Sequence, residues 1–250
     1  MSFTNSLCEI AGIIAADGCL QKGYICVWSN MYEEKDYINK VVVPLFEKQF
    51  NRKLNPHEKA SNSVYGFYMC GEELVRNISN YLGYPIGNKK YIVKVPKFIF
   101  DSKNEDYYTS FIRGYFDGDG SLSFYNRKGG TYSKRAKTYH YYPRLTIVSA
   151  SKNIITQISD MLKVIGINCT IRLRTSKDND TIHVLEIRGI ERFEKWAKII
   201  GFNNPVHKTK YDIWKKYGFL PPKTNIQQRK AILNDKININ SFYGPVAQLG

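Results

Sequence analysis

Two aspartates with the same surroundings carry the chemistry of this chain. Asp17 lies in Ile10-Ala11-Gly12-Ile13-Ile14-Ala15-Ala16-Asp17-Gly18-Cys19-Leu20, and Asp119 in Ile112-Arg113-Gly114-Tyr115-Phe116-Asp117-Gly118-Asp119-Gly120-Ser121-Leu122. Sliding one frame by 102 positions (119 − 17) aligns the isoleucine, the first glycine, the aspartate, the second glycine and the leucine. A single Asp-Gly pair merely ends a helix or opens a turn. A duplicated frame points instead to a site that needs two acids.

The elements that must position them follow from spacing. Ile10, Ile13 and Ile14, like Ile112, Tyr115 and Phe116, recur at i, i+3, i+4 and predict two short helices with apolar stripes. Gly18 and Gly120 are read as left-handed residues that stop them. Gly12 with Ala16, and Gly114 with Gly118, form a second stripe of small residues at i, i+4, the device by which two helix backbones approach closely. Each helical glycine costs about 1 kcal/mol against alanine, so close approach outweighs propensity here. Parallel packing then delivers both aspartates to one end, beside the negative poles of both helix dipoles, where each raises the other's pKa. A divalent cation removes both penalties, and hard carboxylate oxygens favour Mg2+.

The duplicated frame resembles the paired signature of LAGLIDADG homing endonucleases in their single-chain form, over residues 5–225. The resemblance implies an α+β fold of two pseudo-symmetric αββαββα halves, packed through the signature helices, with antiparallel sheets forming a DNA-binding saddle. It implies Asp17 and Asp119 as catalytic metal ligands, helped by the backbone of Ala16 and Gly118, with Mg2+ as cofactor and Mn2+ or Ca2+ able to substitute in binding. It also implies one lysine per half near the scissile phosphates, after the last helix of the half and often shortly before a proline. That description fits Lys94, ahead of Pro96, with Lys90, seven residues past Gly83, as its competitor. Seven residues past Gly201 lies Lys208, the candidate in the second half, and His207 is read as its neighbour rather than a catalyst. Ala15 departs from the family pattern, where aspartate is common, while Asp117 keeps it; neither is the expected ligand.

Composition agrees with a nucleic-acid partner. A chain of 250 residues with 43% hydrophobic content buries a real core. Its net charge of +15 exceeds what solubility requires and calls for a polyanion, with a membrane surface or a ribosome as alternatives. Five cysteines (Cys8, Cys19, Cys26, Cys70 and Cys169) without a Cys-x-x-Cys pair argue against a disulfide framework and a structural zinc site. No apolar run is long enough to span a bilayer and no secretory leader opens the chain. The expected location is therefore intracellular, in a prokaryotic cytoplasm or an organelle.

The expected organisation is a first half at 1–100, a linker at 101–109, a second half at 110–222, and a polar, partly disordered tail at 223–250. In the first half a strand around 24–30 precedes helix 33–50, a hairpin at 54–69 and helix 72–82. In the second, strands at 121–125 and 143–149, helix 152–165, strands at 169–175 and 181–188, and a last helix at 211–217 follow the signature. Gly71, Glu73 and Gly83 return as Gly189, Glu191 and Gly201, now 118 positions on (189 − 71), because the second half carries an insertion. DNA contacts are expected from Gln21, Lys22, Tyr24, Trp28 and Asn30, and from Ser123, Tyr125 and Arg144. The inserted loop adds Arg127, Lys128, Lys134, Arg135 and Lys137 without one acidic residue. Arg172 and Arg174 alternate with Ile171 and Leu173, so both guanidinium groups share one sheet face, suited to phosphates and guanine edges.

The function expected is cleavage of one phosphodiester on each strand of a long, asymmetric double-stranded DNA site, by a monomer. An RNA maturase and a non-catalytic DNA-binding regulator on the same fold are the alternatives, and retention of both acids weighs against each. The start at Met1 and the lack of a His-Asn end argue against an intein.

Overall fold

Thr4 starts the first signature helix, its Oγ1 accepting from Leu7 N at 3.1 Å, and α1 (Asn5–Ala16) then runs buried from Leu7 to Ala15. The structure is a computed structural model that describes residues 4–126, 140–176 and 178–242. After α1 come β1 (Gly18–Gln21), β2 (Tyr24–Asn30) and α2 (Lys35–Tyr37), which passes through a π-helical turn (Ile38–Val42) into α3 (Val43–Phe50). β3 (His57–Lys59), β4 (Val64–Cys70) and α4 (Glu72–Leu82) complete the first half, and α5 (Lys97–Phe100) bridges to the second. There α6 (Glu105–Asp119), β5 (Gly120–Tyr125), β6 (Tyr142–Ser149), α7 (Lys152–Val164), β7 (Thr170–Thr175), β8 (Thr181–Arg188), α8 (Ile190–Ile199) and α9 (Pro205–Tyr217) repeat the order.

The fold is thus α+β, with two antiparallel sheets of one topology, β1-β2-β4-β3 and β5-β6-β8-β7. Period-2 alternation sends Ile25, Val27, Phe67 and Met69 of the first sheet inward, and Leu122, Leu145, Ile147, Leu185 and Ile187 of the second. The helices close over them with Val75, Ile78 and Leu82 from α4 and Ile154, Ile158 and Met161 from α7. The opposite face of each sheet is left for a partner. No helix among the described residues is long and apolar enough to cross a membrane.

Four expectations need correction. Gly18 and Gly120 are not left-handed: Gly120 is extended (φ −82°, ψ 160°) and both open strands. They are glycines because the strand leaves its helix so tightly that a Cβ would lie 2.5 Å from Ile14 Cα or 2.3 Å from Phe116 Cδ2. Helix α6 begins inside the segment read as linker, since Asn104 Oδ1 accepts from Asp106 N at 2.9 Å and Glu105 and Asp106 fill the acid-favouring first turn. Helix α9 starts at Pro205 rather than 211, with proline in the first turn after an Asn204 cap. Finally, residues 223–242 are packed, not irregular. They form α10 (Ile226–Leu233), opened by an Asn225/Gln228 capping box, and a 3-10 turn (Ile239–Phe242), and they bury Ile226, Ile232 and Ile239. Arg127, Lys128, Lys134, Arg135 and Lys137 lie outside the described residues.

Candidate functional site

The seam between α1 and α6 sets the site. A Cβ on Gly12 would lie 2.2 Å from Phe111 O, and one on Gly114 would lie 2.2 Å from Glu9 O, so the two backbones touch where the sequence places glycine. Across the same seam Arg113 grips Glu9, with Nη2–Oε2 at 2.6 Å and Nε–Oε1 at 3.2 Å, and Nη1 also donates to Ile200 O at 3.1 Å. The register brings the C-terminal ends together. Asp17 caps α1, and a Cβ on Gly118 of α6 would stand 2.8 Å from Asp17 Oδ2. Burial pushes the Asp17 carboxyl up to about 8, and Asp119 and Glu34 add to the rise; Lys89 and the Ser29 hydroxyl, 3.4 Å away, oppose it. Asp119 reaches solvent, yet desolvation of its carboxyl also raises its pKa, again opposed by Lys89. Each acid is in a place that disfavours negative charge.

The cation in this cleft is Lys89. Its Nζ donates to Ile14 O, to Ala16 O at 2.9 Å and to Gly18 O at 2.6 Å, capping the negative end of α1. Burial lowers its pKa to about 8 against the pull of Asp119 and Asp17. The lysines expected here lie elsewhere. Lys90 reaches across to the second half and pairs with Asp180 at 2.6 Å, beside the Tyr91 hydroxyl. Lys94 is exposed, and exposed Lys208 pairs with Asp212 one turn along α9 at 2.6 Å. No group of three or more His, Cys, Asp or Glu side chains gathers as a metal site among the described residues. The donor set is two carboxylates and backbone carbonyls, all hard oxygens, and an ammonium group already occupies its carbonyl side. Such a set fits a hard divalent cation that completes its shell with water or phosphate.

The second half reaches the same region with other residues. Asp117, fully buried, accepts from Asn203 N at 2.8 Å and Asn204 N at 3.0 Å, tying α6 to the start of α9; burial pushes it up to about 8. Asn204 Nδ2 donates to Asp117 O at 2.8 Å and to Glu34 Oε1 of the first half at 2.7 Å. His207 is buried against the Phe116 ring, centroids 4.9 Å apart. Its Nδ1 has no hydrogen-bond partner, and burial lowers the imidazole pKa to about 3. Lys210, whose Nζ donates to Leu122 O at 3.1 Å, is lowered to about 8 by burial and by Arg229.

The model of a LAGLIDADG-like domain matches residues 106–201, which hold the second of the two frames. Residues 106–201 are thus similar in sequence to a LAGLIDADG-like domain. Its fold is similar to that of mesophilic variants of the homing endonuclease I-DmoI, over 78% of this chain and 95% of that one, with 17% identity and a TM-score of 0.54. I-DmoI in complex with DNA and Mn is similar over 79% and 96%, with 16% identity and a TM-score of 0.52. Full-length DUF199/WhiA from Thermatoga maritima is similar over 94% of this chain and 68% of that one, with 14% identity and a TM-score of 0.52. At these identities the likeness is one of fold. No curated protein matches in sequence.

The two outer sheet faces differ. The first is aromatic: Trp28 and Tyr68 meet edge to face with centroids 5.1 Å apart, Tyr24 packs on Tyr68 at the same spacing, and Lys59 Nζ sits 4.1 Å from the Trp28 ring. Gln21 Nε2 donates to Cys19 Sγ at 2.9 Å, and Lys22 is exposed in the hairpin turn. Asn30 caps the turn that follows β2, accepting from Tyr32 N at 2.9 Å and Glu33 N at 3.0 Å, so its carbonyl serves the fold. The second face is cationic. Register places Ser123 opposite Arg144 and Arg144 opposite Arg188, with Tyr125, Arg172 and Arg174 on the same side. At its centre buried Glu186 pairs with Arg172 and, at 2.6 Å, with Arg188. Lys59, Tyr68, Arg188 and Glu186 were not among the expected residues, although alternation along β3, β4 and β8 puts each on the outer face.

Proposed function

We propose that this protein is a site-specific endonuclease of double-stranded DNA, acting as a monomer that cuts one phosphodiester on each strand. The observation that carries the reading is the glycine seam, which presses two helix ends together so that Asp17 and Asp119 share one oxygen-lined cleft with a cation in it. Asp17, Asp119 and the backbone of Ala16 and Gly118 would hold hard divalent ions, Mg2+ in function and Mn2+ or Ca2+ in binding. Such ions, when bound, polarise a phosphate and lower the pKa of water.

The rest is the work of the chain. The packed helices fix the two acids rigidly, which is what positional catalysis requires. Lys89 takes the role expected of Lys94 or Lys90, because its ammonium is the one beside the acids, where it can offset negative charge on phosphorus. Arg144, Arg172 and Arg174 suit phosphate and guanine contacts, while the aromatic first face offers stacking and apolar surface. Two unlike faces on one chain suit a long, asymmetric target. The I-DmoI structure solved with DNA and Mn supports this seating.

The same fold occurs in DUF199/WhiA, so fold alone does not choose between a nuclease and a DNA-binding regulator. The paired acids favour the nuclease. Incubation with a library of long duplexes, with and without Mg2+, tests the proposal: Mg2+-dependent double-strand breaks at one sequence, lost in Asp17→Asn and Asp119→Asn, are expected. Sequence-specific binding without breaks would make the protein a regulator, and preference for a folded RNA over duplex DNA would make it a maturase.

A further inference from the structure

Three cysteines share one face of the first sheet. Cys19 of β1 and Cys26 of β2 are direct partners in the antiparallel register; Cys26 in turn lies opposite Tyr68 of β4, and Cys70 lies opposite Tyr24. Leu20, Ile25, Val27 and Met69 point into the core, so by alternation Cys19, Cys26 and Cys70 face outward. The three are not equivalent. Cys26 is only 7% exposed despite facing outward, because its neighbours on that face are Tyr24, Trp28 and Tyr68, whose rings pack edge to face with centroids 5.1 Å apart. Cys19 is half-buried on the edge strand, where its Sγ accepts from Gln21 Nε2 at 2.9 Å. Directly opposed residues of an antiparallel pair stand about 4.5–5.5 Å apart at Cα, inside the roughly 4.4–6.8 Å that a disulfide spans. A diagonal pair such as Cys26 and Cys70 stands about 7–8 Å apart, beyond that reach.

We propose that Cys19 and Cys26 form a reversible dithiol modification site, at which a small-molecule disulfide closes a cross-strand Cys19–Cys26 bond on the outer face of the first sheet. The partly exposed Cys19 thiolate attacks one sulfur of the incoming disulfide, expels one thiolate and forms a mixed disulfide; the Cys26 thiolate, shielded under the rings, then attacks Cys19 Sγ and expels the second. Two cysteine protons pass to water or to the released thiolates, the two cysteines are oxidised, and the small disulfide is reduced to two thiols. The register already holds the pair, so neither strand has to move. The bond forms one residue past Gly18, whose carbonyl accepts from Lys89 Nζ at 2.6 Å, which puts the redox state of the sulfurs beside the acidic cleft. This chemistry does not depend on whether the chain cuts DNA.

Disulfide mapping is the test. The reduced full chain is equilibrated with mixtures of reduced and oxidised glutathione, remaining thiols are blocked with iodoacetamide, and tryptic peptides are identified by mass spectrometry. Cleavage after Lys22 puts Cys19 and Cys26 on separate peptides, so their bond appears as a linked pair. That link is expected about tenfold or more above any other pairing of the five cysteines, since only this pair is held within disulfide reach by direct register, and dithiothreitol reverses it. The peptide that carries Cys19 also carries Cys8, so Cys19→Ser decides the assignment: it abolishes the link, whereas Cys70→Ser leaves it intact. Cys19→Ala serves in place of the serine should the latter lose its native circular dichroism. A Cys26–Cys70 link in preference, a link that survives in the Cys19 variant, or recovery of both thiols alkylated while Cys70 carries glutathione overturns the inference.

Discussion

Replacing Gly12 by alanine sets two effects of opposite sign against each other. Helix propensity favours the change by about 1 kcal/mol, and in an isolated helix alanine would win. Here the new Cβ would meet Phe111 O at 2.2 Å and Tyr115 N at 2.7 Å, both backbone atoms of α6 that no rotamer change can move. Reaching even a 3.0 Å contact forces the helices apart by roughly 0.8 Å (3.0 − 2.2) along their most closely packed stretch. Overpacking of this kind costs about 3 kcal/mol, leaving a net loss of about 2 kcal/mol and a fall in Tm of about 4–8 °C for a chain of this size. Thermal unfolding followed by circular dichroism checks this, with Gly23→Ala, which meets nothing within 4 Å, as the control that shifts stability by no more than about 0.5 kcal/mol. A Gly12→Ala protein as stable as the wild type would refute the seam. Gly118→Ala separates function from stability: one of its clashes is with Asp17 Oδ2, a side-chain atom that can swing away, so cleavage drops more than Tm does.

Three other outcomes follow from the same geometry. Asp17 and Asp117 are both pushed up to about 8 from an ordinary 3.8, so the folded chain keeps protons that the unfolded chain has lost; their stabilising share is full below pH 3.8 and is lost as pH rises toward 8. Guanidinium midpoints across that range should recover Asp17's share on adding Mg2+, and Asp117→Asn should flatten what remains. Arg229, buried in the tail helix, pairs with Glu33 of the first half at 2.8 Å and donates to Thr209 of α9 at 3.0 Å, so Arg229→Met should cost about 3 kcal/mol in urea unfolding; a neutral result would mean that the tail does not brace the halves. Arg174, exposed on the cationic face, is expected to contact one phosphate, and Arg174→Ala should lower the slope of log affinity against log salt by about 0.9 without changing sequence preference.

Much of this was legible because period and repetition are local. The i, i+3, i+4 stripes predicted both signature helices, strand alternation predicted the outer faces, and the small residues of the duplicated frame predicted the close seam between those helices. Three features were not legible. The tail looks polar because Arg229, Lys230 and Gln228 dominate its composition, yet Arg229 is buried against Glu33, and Lys230 pairs with Asp36, acids nearly two hundred residues away. The strand-opening glycines gave the signature of a left-handed cap, since sequence cannot distinguish a positive φ from a contact too close for any Cβ. The cationic face looked uniform because one buried glutamate, Glu186, is invisible in a run of alternating residues.

The lysine is the instructive case. Position shortly before a proline selects Lys94, and counting seven residues past a helix-ending glycine selects its competitor Lys90 and, in the second half, Lys208. The cleft instead takes the residue one position earlier, where the first half has lysine and the second has histidine. An ammonium on a four-carbon stem reaches three carbonyls at the end of α1, while the imidazole packs against the rings of Phe116 and Phe202. Symmetry of sequence therefore pointed to lysines that pair elsewhere, and a break in that symmetry marks the position whose ammonium enters the cleft. Two copies of one frame supply two corresponding positions, and divergence at residues 89 and 207 leaves an ammonium against helix-end carbonyls at one and an imidazole against Phe116 and Phe202 at the other.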